Sequence, residues 1–119
     1  MNKDLPDTPE KLIDYPSALD RTGGDEEFLN ELLDLYVTEF SSAFEKLQNA
    51  VKEKDFSAVK HIGHNLKGSS ANMSLLSLQE AALQMEQTGR DEDAGQAEKA
   101  LVVLEREFKR LKVFLDSRE

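Results

Sequence analysis

The 119-residue chain predicts an all-α fold, an antiparallel four-helix bundle with a short extra helix at its N-terminus. Three observations carry this expectation. Apolar residues recur at i, i+3, i+4 and i+7 over long stretches, at the helical period of about 3.6 residues. No segment alternates with period two over a useful length, so no sheet is expected. The connections between the periodic stretches are short, which favours antiparallel neighbours. A chain of this length can bury a real core as one domain.

Taken in order, residues 1–10 carry Pro6, Pro9 and several charges and are expected to form a flexible tail, leaving the bundle domain over 11–119. Tyr15-Pro16-Ser17-Ala18-Leu19 predicts a short helix with Pro16 in its first turn, and Gly23-Gly24 ends it. Asp25 then reads as an N-cap, with Glu26 and Glu27 complementing the helix dipole. Leu29, Leu33, Tyr36, Phe40, Ala43, Phe44, Leu47 and Val51 form the core stripe of a long helix reaching Lys52. Its first half has a second apolar set, Phe28, Leu32 and Leu35, which either packs on the short first helix or offers a docking surface. Asp55 caps the next helix, from Phe56 to Asn72. Ser77-x-x-Glu80 resembles a capping box, followed by a short helix lined by Leu75, Leu78, Ala82, Leu83 and Met85 and ending near Thr88-Gly89. Asp91-Glu92-Asp93 opens the last helix, whose stripe is Ala97, Leu101, Leu104, Phe108, Leu111 and Leu115. Arg106, Lys109, Arg110 and Lys112 lie toward its C-terminal end, where cations are favoured.

Composition excludes several classes of function. A formal net charge of −9 argues against nucleic acid and against anionic membrane surfaces. Without cysteine there is no disulfide framework and no thiolate metal site. The polar N-terminus lacks a signal-peptide core, and no apolar run reaches the length that crosses a bilayer, so a cytoplasmic location is expected. Met1 and the charged N-terminus favour a free-standing protein over a module of a larger one. A monomer is expected, since one bundle accounts for the apolar stripes.

The chemistry is concentrated in His64-Asn65-Leu66-Lys67-Gly68-Ser69-Ser70. At about 100° per residue, Val59, Ile62, Gly63, Leu66, Ser70 and Met73 share a core face and His64 points outward, roughly 200° from Leu66. Lys60, Lys67, Gly68 and Ala71 share its side. A neutral imidazole, with an ordinary pKa of about 6.5, is a nucleophile near neutral pH. Were it to take up a phosphoryl group, Lys67 would supply a charge to the anionic oxygens. Gly68 costs the helix roughly 1 kcal/mol against alanine, which points to a close approach there. Ser69 could add a hydroxyl donor at the edge of the site.

His64-x-Leu66-Lys67-Gly68-Ser69-Ser70, followed by Asn72-Met73, resembles the phosphoacceptor motif of histidine-containing phosphotransfer (HPt) domains. The resemblance extends over most of the chain, through Ala18 to Asp25 and Leu83 to Arg90. Ser74 stands where the family commonly has a glycine near the helix end; a serine there can cap the next helix. The resemblance implies a phosphocarrier of a two-component phosphorelay, in which His64 accepts a phosphoryl group from a receiver-domain aspartate and passes it to another. Lys67 would stabilise the phosphoryl group and Gly68 would admit the partner. The expected docking face comprises Leu32, Leu35, Glu39, Lys60, His61 and Ala71, with Glu39 close to the histidine. Lys52, Lys54, Lys60, His61 and Lys67 form a basic stretch that could steer toward an acidic pocket; alternatively, Lys52 and Lys54 serve only a helix terminus.

Other chemistries lack their parts. Gly63-x-x-x-x-Gly68 is followed by Ser69-Ser70 in place of the phosphate-loop lysine, and no strand precedes it. No nucleotide-binding loop or aspartate set for a nucleotide metal is evident, so kinase activity is not expected. No cofactor is expected, and Mg²⁺ would come from the receiver. His61 and His64 offer two ligands for a metal with no evident third. The competing reading is a helical adaptor that binds a receiver or other signalling partner through Phe28, Leu32, Leu35 and the His64 face without phosphotransfer.

Overall fold

The computed structural model describes residues 12–117. The tail expected at 1–10 lies outside them. Among the described residues five helices follow one another: α1 Tyr15–Arg21, α2 Glu26–Lys52, α3 Phe56–Asn72, α4 Leu76–Asp91 and α5 Ala94–Ser117. No strand occurs among the described residues. At about 1.5 Å per residue, the 27 residues of α2 span the longest dimension of the molecule, 41 Å.

Aspartate starts four of the helices. Oδ1 of Asp14, Asp25, Asp55 and Asp93 accepts from the backbone N–H three residues on, at 3.2, 3.0, 3.2 and 3.0 Å. Each such cap contributes about 1 kcal/mol. The helix ends repeat one another as well. Gly24, Asp55, Leu75 and Asp93 each donate their N–H to the carbonyl five residues back, at 2.9–3.1 Å. The residue before each has positive φ: Gly23 (70°), Lys54 (58°), Ser74 (57°) and Glu92 (53°). A left-handed residue turns the chain back and satisfies carbonyls that the ending helix leaves open.

The core lies among α2, α3, α4 and α5. Phe40 stacks on Phe108 with ring centroids 4.0 Å apart and on Phe44 at 5.7 Å. Leu33, Leu47, Val59, Leu78, Ala82, Met85, Ala97, Leu104 and Leu111 are fully buried around them. The predicted stripes of α2 and α3 are the buried faces of those helices. Tyr36 and Ser70 cross this core as a buried pair, oxygen to oxygen 2.7 Å; burial pushes the phenol's pKa up.

The α3–α4 seam is the tightest in the molecule. A Cβ on Gly63 would lie 2.7 Å from the backbone N of Glu86 and 2.9 Å from its Cα. A Cβ on Gly89 would collide with the backbone N of Lys60 and lie 2.8 Å from its Cα. The two glycines sit on opposite helices one turn apart and let the backbones touch.

Several expected boundaries are corrected. Ser77 is not a cap: α4 begins at Leu76, its N-cap is Leu75, and no side chain caps it. Ser74 does not cap it either; its hydroxyl donates to Ser17 Oγ at 3.1 Å, and its carbonyl accepts from Asp14 N–H at 2.9 Å. Ser74 thus keeps the left-handed turn and ties α1 to it. Helix α4 is not short. It continues past Gly89 to Asp91, because Gly89 serves the seam and the left-handed stop is Glu92. Of Asp91-Glu92-Asp93, only Asp93 opens α5. The last turn of α5 holds no cation. Arg106 and Arg110 instead meet Glu107, a carboxylate buried at 2 % exposure within the apolar stripe.

Candidate functional site

Helix α3 presents His64 outward, its side chain 63 % exposed, at the edge of the seam with α4. The backbone contact at Gly63 sets Glu86 directly beneath. Glu86 is buried, its side chain 6 % exposed, and three groups converge on its carboxylate. His64 Nδ1 lies 3.1 Å from Oε2, Arg90 donates from a guanidinium N–H to the same oxygen at 3.2 Å, and Lys67 Nζ reaches Oε1 at 2.8 Å. The Lys67 hydrogen bond, opposed by burial and assisted by His64, holds the Glu86 carboxyl below the usual glutamate range.

That geometry fixes the imidazole. An ionised carboxylate only accepts hydrogen bonds, so the proton between the two groups belongs to Nδ1, and neutral His64 carries its lone pair on Nε2. The bond at Nδ1 occupies the inner side of the ring and leaves Nε2 for a reactant.

The other expected site residues divide. Gly68 is exposed and a Cβ there would meet nothing within 4 Å, so no neighbour within the fold requires a glycine at this position. Lys67 stands beside His64 as expected, but is already paired with Glu86. Ser69 does not serve the site: its hydroxyl donates to the Leu66 carbonyl at 3.2 Å. Lys60 and His61 are exposed on the same helix and Ala71 is half-buried; His61 Nε2 lies 3.4 Å from the Asn65 amide nitrogen. On α2, Phe28 (46 %) and Leu35 (53 %) are exposed and Leu32 is half-buried. Glu39 is exposed, but the carboxylate bonded to His64 is Glu86. Lys52 and Lys54 belong to the end of α2 and the turn after it.

Sequence reasoning missed Glu86 and Arg90. One signal marked Glu86: it falls among Ala82, Met85 and Gly89 on the buried face of α4, where a carboxylate needs partners. No group of three or more His, Asp or Glu side chains is placed to hold a metal among the described residues. The grooves along α4 and α5 do not include His64, Lys67 or Gly68. The histidine therefore belongs to an outward-facing surface and to neither of these grooves.

Comparison with known proteins points the same way. The family model described as "Hpt domain" matches residues 31–114. The phosphorelay intermediate protein rdeA of Dictyostelium discoideum is 34 % identical over 64 residues, covering 54 % of this chain and 25 % of that protein. The chain thus spans about a quarter of the length of this curated relative. The crystal structure of histidine-containing phosphotransfer protein B (HptB) from Pseudomonas aeruginosa PAO1 superposes with a TM-score of 0.82 over 90 % of this chain and 93 % of that one, at 23 % identity. At that identity the likeness concerns the fold.

Proposed function

The chain belongs to the Hpt domain family, and from that premise we propose that it is the phosphohistidine intermediate of a two-component phosphorelay, with His64 as the acceptor. The observation that carries the assignment is the exposed imidazole whose Nδ1–H is bound to Glu86 and whose Nε2 is left for reaction. In the proposed step, the Nε2 lone pair attacks the phosphorus of a receiver's aspartyl phosphate in line with the leaving oxygen. The P–O bond breaks, its electron pair returns to the receiver carboxylate, and Nε2–P forms. Lys67, 2.8 Å from Glu86, swings to the phosphoryl oxygens. The reverse reaction with another receiver empties the site.

Positioning and charge are what this surface offers; the receiver brings Mg²⁺ and most of the transition-state stabilisation. The chain is a carrier without kinase activity of its own. Leu32, Leu35 and Glu39 on α2, with Lys60, His61 and Ala71 on α3, form the docking face, and a monomer suffices for the chemistry. No helix among the described residues is long and apolar enough to cross a membrane, in keeping with work in the cytoplasm.

The test is intact mass after incubation with phosphorylated receiver domains and Mg²⁺, beside His64→Ala and His61→Ala. One acid-labile phosphoryl group that survives His61→Ala and disappears in His64→Ala is the expected result. A folded protein that takes up none from a broad panel of receivers is an adaptor, binding through the same face.

A further inference from the structure

Two helix faces keep apolar side chains exposed on the surface of the bundle. Of the five exposed large apolar side chains among the described residues, four lie on these two faces. On α2, Phe28 and Leu35 stand about two turns apart and therefore on one side of the helix. On α5, Val102 (65 %) and Val113 (68 %) stand about three turns apart, again on one side. The two valines flank a groove that Leu12 and Phe114 also line, with Arg106 and Lys109 between them.

The faces carry opposite charge. Residues 26–39 hold Glu26, Glu27, Glu31, Asp34 and Glu39 and no Lys, Arg or His. Residues 106–113 hold Arg106, Lys109, Arg110 and Lys112 against Glu107 alone, and Glu107 is buried. In a protein of net charge −9 this stretch of α5 is a cationic exception. Single exposed apolar residues need no explanation, but here each helix sets its apolar pair among charges of one sign. A contact of α2 with α2 would oppose acid to acid, and one of α5 with α5 would oppose cation to cation. A contact of α2 with α5 joins apolar to apolar and anion to cation. Each copy of the chain carries one face of each kind, so two such contacts close a pair and leave neither face open.

We infer that two copies of this chain associate reciprocally, the acidic apolar face of α2 in one seated on the cationic apolar face of α5 in the other, and that the pair covers the receiver-docking face. The association stands on the two faces alone; its consequence for transfer rests on the phosphorelay reading. Leu32, Leu35 and Glu39 belong to the same half of α2, so a second copy occupies the surface that a receiver needs. The monomer is then the form that transfers, and a docked receiver and a second copy displace one another.

The test is sedimentation velocity across a range of concentrations at low and high salt. The mass is expected to rise from 13.4 kDa toward twice that value with concentration at low salt, and to fall back as salt screens the charges. Lys109→Glu with Lys112→Glu reverses the α5 face, and Glu31→Lys with Asp34→Lys reverses the α2 face. All four side chains are exposed, and circular dichroism checks that each variant is folded. Either reversal alone is expected to weaken association at least about tenfold. The two variants mixed in equal amounts should associate again, because each reversed face then meets its opposite. A wild type that stays at 13.4 kDa at every concentration in low salt would overturn the inference and leave the α5 face to an acidic helix of another protein, or to the residues before Leu12, which borders the groove. Association that survives either reversal, or that the mixture fails to restore, would overturn it as well by placing the contact elsewhere. Phosphoryl uptake per His64 is expected to fall as wild-type concentration rises and to stay constant in the α5 reversal; uptake that ignores concentration while pairs form would reject the covering of the docking face. If no receiver loads either protein, the relay reading fails and the mass measurements still decide the association.

Discussion

At the scale of single residues, Lys67 and Gly68 separate stability from transfer in opposite senses. In the proposed relay, Lys67→Ala would remove a charge-assisted contact from the phosphoryl group, worth about 1.5–3 kcal/mol, so transfer should slow roughly 10–100-fold with the helical circular dichroism unchanged. Gly68→Gln replaces a poor helix former on open ground. Its unfolding midpoint should rise, by up to about 1 kcal/mol, while transfer is lost to a side chain standing over His64; wild-type transfer by that variant rejects close approach at Gly68. The lowered Glu86 carboxyl makes a third prediction. Its stabilisation is complete above the ordinary glutamate pKa of about 4.3 and is lost as pH falls through the lower folded value. Lys67→Met should therefore flatten the acid limb of the stability profile, measured by urea unfolding across that range. His64, Lys67 and Gly68 were legible in the sequence because one helical run contains them and its period alone places them together. Glu86 was not, since it lies 22 positions from His64 and meets it only through the packing of two helices. What the sequence did show was a carboxylate among apolar neighbours, and Glu107 was overlooked in the same way.

Among the elements, the helix ends and the α3–α4 seam follow different physics. The four aspartate caps are local, and Asp25 and Asp55 could be read directly. The boundaries of α4 were misread because Ser77 and Gly89 carry local signals that tertiary structure puts to other use: Ser77 sits inside the first turn, and Gly89 makes room for Lys60. Left-handed geometry costs a residue with a side chain roughly 1–2 kcal/mol. Lys54→Gly and Glu92→Gly should each stabilise the fold by about 0.5–1 kcal/mol, after the entropy a glycine adds to the unfolded chain. Ser74→Gly should gain less, since it gives up the bond to Ser17. Gly63→Ala and Gly89→Ala should cost about 1–3 kcal/mol each by forcing backbones apart. Denaturant unfolding midpoints of the five variants check all of this, and a neutral Gly63→Ala would mean that the seam yields.

For the whole molecule, the distribution of charge matters more than its sum. The protein is acidic at −9, yet residues 56–72 contain no Asp or Glu. Helix α3 therefore presents Lys60, His61 and Lys67 against an acidic background, and association with an acidic receiver pocket should slow as salt rises. Lys60→Glu should cut the association rate roughly 3–10-fold, whereas Lys99→Glu on α5, the same change of charge, should do much less; stopped-flow binding at two ionic strengths distinguishes them. Equal effects would assign the steering to net charge alone. The glycine pair in the seam also does for the molecule what a key and slot do for a shaft. Gly63 faces Glu86 and Lys60 faces Gly89, so the two helices seat in one register. A slip of α4 by one turn would set a side chain against the Lys60 backbone where Gly89 now leaves room. It would also bring Ala82 or Arg90 beneath the imidazole in place of Glu86. The chemistry of the exposed histidine is thus indexed by two residues that carry no side chain, and its acid–base partner is chosen by how the helices seat.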